Sequence, residues 1–202
     1  MIKLYGTVMS RAGRPAWALE ELGLKYEHVP ISFQGDTRKP EYLKINPNGH
    51  IPSLDDNGLI VWESMAINLY LAEKYGKAPF WPATVEGHAG AYQWSFFGMT
   101  ELEPHLIAIL MNKLFLPAEQ RSEAAVKNAT TALAAPLKVL DDRLKSQEYL
   151  LGKDFTIADL NVASVLTLST FVGFDLSGTP AVQKWFQKCV SRPSQQKVGS
   201  LK

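Results

Sequence analysis

The chain has 202 residues, a net charge of +1 and 46% hydrophobic residues, values that are ordinary for a globular protein. The length suits one large domain or two small ones. The net charge favours neither nucleic acid nor an anionic membrane surface as a partner. No apolar run approaches the ~20 residues that span a bilayer. Cys189 is the single cysteine, and no apolar leader precedes the first strand-like segment, so we expect a reducing, cytoplasmic location.

The first third of the chain has the mixed pattern of an α/β domain. Short apolar runs at residues 2–5 and 26–31 predict strands. Residues 15–22 begin with proline and are followed by Gly23, which is the asymmetry expected of a helix. Residues 40–45 predict one or two helical turns.

A hairpin and a longer helix complete this pattern. Strands are predicted at 51–54 and 59–62, because Asn57-Gly58 between two apolar runs favours a tight hairpin turn. A helix follows at 64–75, with Gly76 at its C-cap. The predicted order is βαβαββα, an open sheet with parallel and antiparallel pairs and helices on its faces.

The composition changes after Gly76. A proline-rich segment at 77–82 resembles a linker, and from about residue 86 no strand is predicted. Apolar residues recur at near-helical spacing, and Pro136 is expected to kink or break one of the helices. The predicted helices cover 88–114, 118–144, 156–170 and 181–190. We therefore expect an α/β domain over 1–78, a linker over 79–86 and an all-helical domain over 87–202.

Ile51-Pro52 stands at the start of a predicted strand. X-Pro bonds are cis in only ~5% of cases, so spacing alone favours a trans proline at a first strand position, where no ladder bond is lost. The alternative is a cis bond, with the backbone N–H and C=O of Ile51 turned outward to pair with a peptide ligand as an added strand.

Glu63-Ser64 stands at the start of the helix at 64–75. From spacing alone a helix start, with Ser64 at or near the N-cap, outweighs a ligand site by roughly two to one. The same end of the helix nevertheless favours a carboxylate, through its free N–H groups and partial positive charge. Glu63 beside it would suit an ammonium group, so the pair could hold an α-amino-acid head.

Ser10 lies between the first strand and the first helix, where most serines cap the helix. In the alternative interpretation its hydroxyl donates a hydrogen bond to a thiolate. Lowering a thiol pKa of ~8.5 by ~2 units requires ~2.7 kcal/mol, and one charge-assisted hydrogen bond of ~1.5–3 kcal/mol with a nearby helix start is sufficient. In the same interpretation Arg11 would add positive potential near the thiolate. The alternative is that Arg11 is a solvated surface side chain.

A capping box with aspartate in place of glutamate is present at Thr156–Asp159, before an apolar run. We interpret it as structural, and its loss should cost ~1–2 kcal/mol. The four histidines, at 28, 50, 88 and 105, have no metal-ligand spacing, so no metal is expected. The chain has neither a Cys-x-x-Cys motif nor a glycine-rich phosphate loop, and Cys189 is expected to be inert packing.

Three motifs in chain order resemble those of the cytosolic glutathione transferase superfamily, in a bacterial-type form with a serine-type active site. They are Asn46–Pro52, Glu63–Ile67 and Leu151–Asp159. The resemblance covers essentially the whole chain. It implies a thioredoxin-like N-terminal domain with a cis bond before Pro52, an all-α C-terminal domain and a homodimer.

The resemblance also implies roles for individual residues in binding glutathione. Ile51 corresponds to the backbone ligand of the cysteinyl part, next to Pro52. Glu63 and Ser64 correspond to the grip on the γ-glutamyl head. His50 takes a position where many members carry a lysine or another polar group near the glycyl end. With the resemblance, the ligand-binding interpretation of these residues becomes the favoured one.

Ser10 to Arg14 matches the Ser-x-x-x-Arg start of the first helix in serine-type members. The resemblance therefore implies that Ser10 stabilises the glutathione thiolate, with Arg11 adding positive potential. Tyr5 falls within the first strand and is not taken as a catalytic tyrosine. Cysteine-type bacterial members carry a cysteine about where Arg11 stands, so mixed-disulfide chemistry is disfavoured. The acceptor pocket is expected between the domains, near Met9, Phe97, Glu101 and His105.

The implied function is glutathione transfer: the enzyme binds glutathione as co-substrate, stabilises its thiolate and joins it to an electrophilic, mostly apolar small molecule. Two alternatives remain open at this point. One is a non-catalytic binding or assembly module with the same fold. The other is glutathione-dependent isomerase, dehalogenase or peroxidase chemistry on the same scaffold.

Overall fold

The computed structural model describes residues 1–200, which form two compact units. The first unit comprises Met1–Trp81 together with the segment from Ser191 onward, and the second comprises Pro82–Val190. Strands occur in the first unit, and the second is helical. The predicted domain ranges 1–78, 79–86 and 87–202 stay a prediction.

The first unit is built on one four-stranded sheet with the order β2-β1-β3-β4. Its strands are β1 (Ile2–Tyr5), β2 (Tyr26–Val29), β3 (Ser53–Asp56) and β4 (Leu59–Trp62). Its helices are α1 (Gly13–Glu21), α2 (Pro40–Leu43), α3 (Ser64–Tyr75) and α9 (Pro193–Ser200). Strands β1 and β2 are parallel, whereas β1–β3 and β3–β4 are antiparallel. The predicted order βαβαββα is confirmed.

The register of the sheet brings three chain segments to one end. Tyr5, the last residue of β1, lies opposite Ser53, the first residue of β3. Ser53 also lies opposite Trp62, the last residue of β4. Opposed Cα atoms in neighbouring antiparallel strands are only ~4.5–5.5 Å apart. The segments that leave β1, enter β3 and leave β4 therefore start side by side.

The core of the first unit follows the two periodicities of its sequence. Leu4 and Leu54 face each other across β1 and β3 and are fully buried. Helices α1 and α3 contact each other, and their apolar residues, among them Trp17, Ile67 and Leu71, are buried. Each such side chain contributes about 1.5–3 kcal/mol on burial, which fixes the helices that carry the candidate site.

The β3–β4 hairpin has the turn that its sequence predicts. Asn57 and Gly58 have φ values of 54° and 95°, so both central residues have the positive φ required by a type I′ turn. The carboxylate of Asp55 accepts a hydrogen bond from the Gly58 N–H at 2.7 Å, which closes the turn.

Asp56 joins the hairpin to the last turns of α3. Its Oδ2 atom accepts hydrogen bonds at 2.6 Å from the Tyr70 hydroxyl, the Lys74 ammonium and the Tyr75 hydroxyl. Burial alone would raise the pKa of Asp56, but these hydrogen bonds outweigh burial and hold the pKa well below its usual range. Asp56 is therefore ionised and fully satisfied at neutral pH.

Helix α9 returns to the first unit and packs against α1. The indole N–H of Trp17 donates to Ser194 Oγ at 3.1 Å, and Arg192 Nε donates to the carboxylate of Glu21 at 3.0 Å. The Ser194 hydroxyl donates to the same carboxylate. These contacts connect residues more than 170 positions apart, which is why sequence pattern alone does not reveal them.

The second unit has helices and no strand within residues 82–190. Its helices are α4 (Val85–Phe97), α5 (Glu103–Leu110), α6 (Glu123–Lys145), α7 (Ile157–Val172) and α8 (Pro180–Val190). The predicted helix over 88–114 is one helical path with two π-helical turns, at Gly98–Leu102 and Met111–Phe115. The first of these ends two residues before Pro104, which has no N–H to continue the α-helical bonding. The N–H of Glu103, the residue between them, donates to the carbonyl of Gly98.

Pro136 does not break α6, which runs without interruption from Glu123 to Lys145. Proline in a helix interior costs about 3 kcal/mol. Leu133, Leu137 and Leu140 are buried on either side of it, and this apolar stripe offsets that cost. Of the two predicted alternatives, a break is wrong, because tertiary packing outweighs the lost hydrogen bond, and a kink stays a prediction.

The capping box at the start of α7 is confirmed. Thr156 and Asp159 exchange side-chain and backbone hydrogen bonds. Asp159 Oδ1 also accepts from the Leu150 N–H at 2.8 Å and from the Trp185 indole N–H at 2.9 Å. The motif thus connects α7 to the preceding turn and to α8. Among residues 1–200, no helix is both long and apolar enough to cross a membrane.

We expect Asp56→Asn to lower the free energy of unfolding by about 2–3 kcal/mol at neutral pH, because hydrogen bonds to a charged acceptor are lost. The native pKa of Asp56 is lowered, so its contribution is complete above the unfolded-state pKa of ~3.9 and is lost as the pH falls below it. Urea unfolding of both proteins across this pH range measures the difference.

Glu27→Gln is the matched control, since Glu27 forms an exposed ion pair with Lys3 at the other side of the sheet. It should change stability by less than about 0.5 kcal/mol. The assigned role of Asp56 would be contradicted if wild type and Asp56→Asn had the same free energy of unfolding at neutral pH. It would also be contradicted if their difference in free energy of unfolding did not become smaller at acidic pH.

Candidate functional site

The peptide bond between Ile51 and Pro52 is cis, as the resemblance implies. Ile51 precedes the first ladder pair of β3, which begins at Ser53. In the described part of the chain, its backbone N–H and C=O form no hydrogen bond. An extended peptide could pair with both groups as an added strand.

The loop before Ile51 is held in place by hydrogen bonds. The carbonyl of His50 accepts from the Tyr42 hydroxyl at 2.7 Å and from the Asn46 side-chain amide at 2.8 Å. Asn46 is buried, and its side-chain oxygen accepts from the Asn48 N–H. Burial raises the pKa of Tyr42, so its hydroxyl stays protonated and available as donor at neutral pH. The backbone at Ile51 is therefore preorganised.

Two basic side chains are associated with this loop. His50 is exposed, and Arg38 Nη1 donates to the carbonyl of Asn48 at 3.3 Å. His50 is among the residues that the sequence predicts for this site, whereas Arg38 is not. Spacing gives no signal for Arg38, because only the folded loop brings it to Asn48.

Ser64 is adjacent to the N-cap of α3, which agrees with its predicted place at or near the N-cap. Glu63 is the N-cap residue itself, and its side chain makes no capping bond. Ser64 is the first helical residue, where a serine side chain does not reach the free N–H groups of the first turn as an N-cap side chain does. It is 3% exposed, and its Oγ accepts a hydrogen bond from Arg14 at 3.3 Å. The N–H groups at the start of α3 thus donate no hydrogen bond to the Glu63 side chain.

Glu63 has a strained backbone, with φ 73° and ψ 119°. A residue other than glycine in such a conformation costs about 1–3 kcal/mol, and such residues cluster at functional sites. Glu63 is also exposed. Its carboxylate is therefore available to solvent beside the positive end of the α3 dipole.

Ser10 does not cap α1, whose N-cap is Ala12. Its hydroxyl donates to the Thr7 carbonyl at 2.6 Å and accepts from the Ala12 N–H at 3.1 Å. A hydroxyl carries one proton and rotates freely, so donation to a thiolate would replace the bond to Thr7. Arg11, the next residue, has an exposed side chain.

Gly6 lies in the loop that carries Ser10 and is close to Ile51. Its φ is +136°, and a Cβ at Gly6 would lie 2.8 Å from the Cβ of Ala12 and 3.2 Å from the Cβ of Ile51. Only glycine fits both this backbone conformation and this close approach. The segments after β1 and before β3 are therefore in direct proximity.

Tyr5 ends β1, and its ring contacts that of Tyr42 edge-on, with centroids 6.4 Å apart. Burial, and then the charge of Asp55, raise its pKa. The hydroxyl therefore stays protonated at neutral pH.

The residues predicted for the acceptor site are distributed over both units. In the first unit, Met9 is 78% exposed in the loop before α1. In the second unit, Phe97, Glu101 and His105 follow one another at intervals of four residues along α4, the first π-helical turn and α5. The Phe97 ring packs edge-on against Trp94, with centroids 5.2 Å apart. Their assignment to an acceptor site stays a prediction.

Among residues 1–200, no group of three or more His, Cys, Asp or Glu side chains is placed to hold a metal ion. The candidate site combines backbone groups of Ile51, the hydroxyls of Ser10 and Ser64 and the carboxylate of Glu63, with His50 and Arg38 at the loop before Ile51. This arrangement can hold an extended peptide with a charged amino-acid end.

Comparison with known proteins agrees with this geometry. Residues 1–73 match the family model of the glutathione S-transferase N-terminal domain, and residues 93–193 match that of the C-terminal domain. The chain is 33% identical over 206 residues to glutathione S-transferase 4 of Zea mays, covering 99% of this chain and 92% of that protein.

Solved structures give the same result. The glutathione transferase URE2P6 from Phanerochaete chrysosporium, in complex with oxidized glutathione, is 31% identical with a TM-score of 0.89, over 98% of this chain and 94% of that one. Glutathione S-transferase-I bound with lactoylglutathione is 34% identical with a TM-score of 0.90, over 100% and 99% of the two chains.

The strain at Glu63 predicts an unusual order of stability for two variants. We expect Glu63→Gly to be more stable than Glu63→Ala by at least about 1 kcal/mol, because glycine adopts this φ without steric cost. Chemical unfolding at pH 7 measures the difference. At the helical position Ala66, which is exposed, glycine should instead be destabilising by about 1 kcal/mol. Equal stability of the two Glu63 variants would contradict the assigned strain.

Proposed function

The chain belongs to the glutathione S-transferase family, and from this premise we propose that it binds glutathione and transfers it to an electrophilic small molecule. The observation that carries the proposal is the register of the sheet. Tyr5, Ser53 and Trp62 are paired, so the segments bearing Ser10 and Ile51 and the Glu63-Ser64 pair begin at one end of the sheet.

Each of these groups matches one part of glutathione. The backbone N–H and C=O of Ile51 pair with the cysteinyl part, as in strand addition. The γ-glutamyl carboxylate receives hydrogen bonds from Ser64 and the start of α3, and Glu63 faces its ammonium group. Arg38 provides positive charge for the glycyl carboxylate, and His50 provides a polar side chain beside it. Pro52 fixes the direction of the chain after Ile51.

Ser10 acts on the thiol. Its hydroxyl donates a hydrogen bond to the thiolate and so favours the ionised form, with Arg11 contributing positive potential. A hydrogen bond to an anion of about 1.5–3 kcal/mol lowers the thiol pKa by about 1–2 units. The thiolate sulfur then attacks the electrophilic carbon, and the new S–C bond forms as the bond to the leaving group breaks. Met9, Phe97, Glu101 and His105 are assigned to the acceptor side.

The proposal extends to assembly and location. Exposed apolar side chains lie on the edge strand β4, at Leu59 and Trp62, and on one side of α4, at Tyr92 and Phe96. Such side chains are typical of surfaces that are covered by a partner, and we assign them to a homodimer. A reducing, cytoplasmic location suits the single cysteine, which is buried and free of disulfide.

The role of Ser10 is tested by the ultraviolet absorbance of the bound thiolate as a function of pH. We expect Ser10→Ala to raise the pKa of the thiol of bound glutathione by about 1–2 units, because one hydrogen bond to the thiolate is lost. Ser10→Thr keeps the hydroxyl and is the matched control. An unchanged thiol pKa in Ser10→Ala would eliminate this role. If immobilised glutathione is not bound and no electrophile in a panel is turned over, the chain is a binding or assembly module instead.

Assembly is tested by sedimentation velocity. We expect the native protein to sediment at twice the chain mass and Phe96→Glu to sediment as a monomer, because an uncompensated charge is placed in an apolar interface. Val139→Glu, which changes an exposed apolar residue of α6, should stay dimeric. A monomeric native protein, or a dimeric Phe96→Glu, would refute the assignment of this surface.

A further inference from the structure

Gly6 is the first residue after β1, and both of its backbone polar groups are bound to β2. Its N–H donates to the carbonyl of Val29 at 3.0 Å, which extends the parallel pairing of the two strands by one step. Its carbonyl lies 2.7 Å from Nε2 of His28. A carbonyl oxygen can only accept, so Nε2 of His28 carries the proton and donates. The loop that carries Ser10 therefore begins at a residue that β2 holds on both sides.

The side chain of His28 takes the place of a backbone donor. Strand β2 ends at Val29, and the next residue, Pro30, has no N–H to donate. In the part of the chain that the structure describes, no backbone N–H donates to the carbonyl of Gly6. Gly6 is buried, and a buried carbonyl needs a hydrogen-bond donor. The imidazole of His28 meets this need.

The orientation of this carbonyl affects where Ser10 lies. The carbonyl of Gly6 and the N–H of Thr7 belong to one planar peptide, so fixing the carbonyl also fixes the direction in which the chain continues. The carbonyl of Thr7 then accepts from Ser10 twice, from the N–H at 2.9 Å and from the hydroxyl at 2.6 Å. Such a restraint has most effect at a glycine, because glycine has the widest choice of backbone conformations.

We propose that His28 is a positioning residue for Ser10: its imidazole N–H fixes the peptide between Gly6 and Thr7, and this peptide determines where the Ser10 hydroxyl meets the thiolate. The inference rests on the proposed function, because it concerns the same hydroxyl. Strand β2, at Tyr26–Val29, carries none of the groups that are assigned to hold glutathione. His28 acts through the loop backbone, so its loss should change the thiol and leave the affinity for the tripeptide intact.

The ultraviolet absorbance of the bound thiolate as a function of pH measures the placement of Ser10. We expect His28→Leu to raise the pKa of the glutathione thiol by about 0.5–1 units, less than Ser10→Ala, because the hydroxyl is displaced and not removed. Below the thiol pKa, kcat should fall about 3- to 10-fold with the fraction of thiolate. This difference in kcat should become smaller at a pH above both thiol pKa values. The dissociation constant of S-methylglutathione, whose sulfur does not ionise, should stay within about twofold of wild type.

Two amide variants test whether a donor at the position of Nε2 is what matters. The amide nitrogen of glutamine stands about where Nε2 of histidine stands, whereas that of asparagine stands about where Nδ1 stands. His28→Gln should therefore keep the thiol pKa within about 0.3 of wild type, and His28→Asn should raise it as His28→Leu does. His28→Asn also replaces His28→Leu if the latter does not fold.

A double-mutant cycle tests the route through Ser10. In the Ser10→Ala background, His28→Leu should leave the thiol pKa unchanged, because residues that act through one another are not additive. His88→Leu is the matched control, since Nε2 of His88 lies 2.7 Å from the carbonyl of Pro82, both within the second unit. It removes the same kind of contact and should leave the thiol pKa unchanged.

Three outcomes would overturn the role of His28 while leaving that of Ser10 intact. They are an unchanged thiol pKa in His28→Leu, a thiol pKa in His28→Gln as high as in His28→Leu, and an additive effect with Ser10→Ala. If the wild type binds no glutathione, or if Ser10→Ala leaves the thiol pKa unchanged, the proposed function is overturned, and the role of His28 with it.

Discussion

The pairing of β1, β3 and β4 is the constraint on which the rest of the site depends. Because Tyr5 lies opposite Ser53, and Ser53 lies opposite Trp62, the loops after β1, before β3 and after β4 all meet the sheet at the same end. A shift of one residue in this register would move every side chain to the other face. The register is fixed by burial of Leu4 against Leu54 and by the tight β3–β4 turn. The site is thus a consequence of how the core of the first unit packs.

The arrangement has a local cost that the surrounding structure offsets. Glu63 adopts a positive φ at the junction of β4 and α3. Both elements are held independently of that junction, since Asp56 connects the hairpin to the far end of α3 through hydrogen bonds from Tyr70, Lys74 and Tyr75. At the near end, Arg14 connects α3 to α1. Strain at a functional position persists only where the neighbouring structure determines it in this way.

The sequence predicts most of what local chemistry controls. The Asn57-Gly58 turn and the capping box at Thr156 follow from backbone preferences of neighbouring residues, and both are confirmed. The cis bond before Pro52 does not follow from spacing, because X-Pro bonds are mostly trans; only the resemblance implies it. What depends on distant contacts could not be predicted: the approach of Arg38 to the loop before Ile51, and the return of the last helix to the first unit.

A crystal structure of the protein grown with glutathione tests the central claim most directly, because the claim is a placement of the tripeptide. The account predicts that the cysteinyl N–H and C=O pair with the backbone of Ile51, that the γ-glutamyl carboxylate lies within hydrogen-bonding distance of Ser64 Oγ, and that the sulfur is near Ser10. Glutathione bound without contact to Ile51 and Ser64, or absent at a saturating concentration, would contradict it.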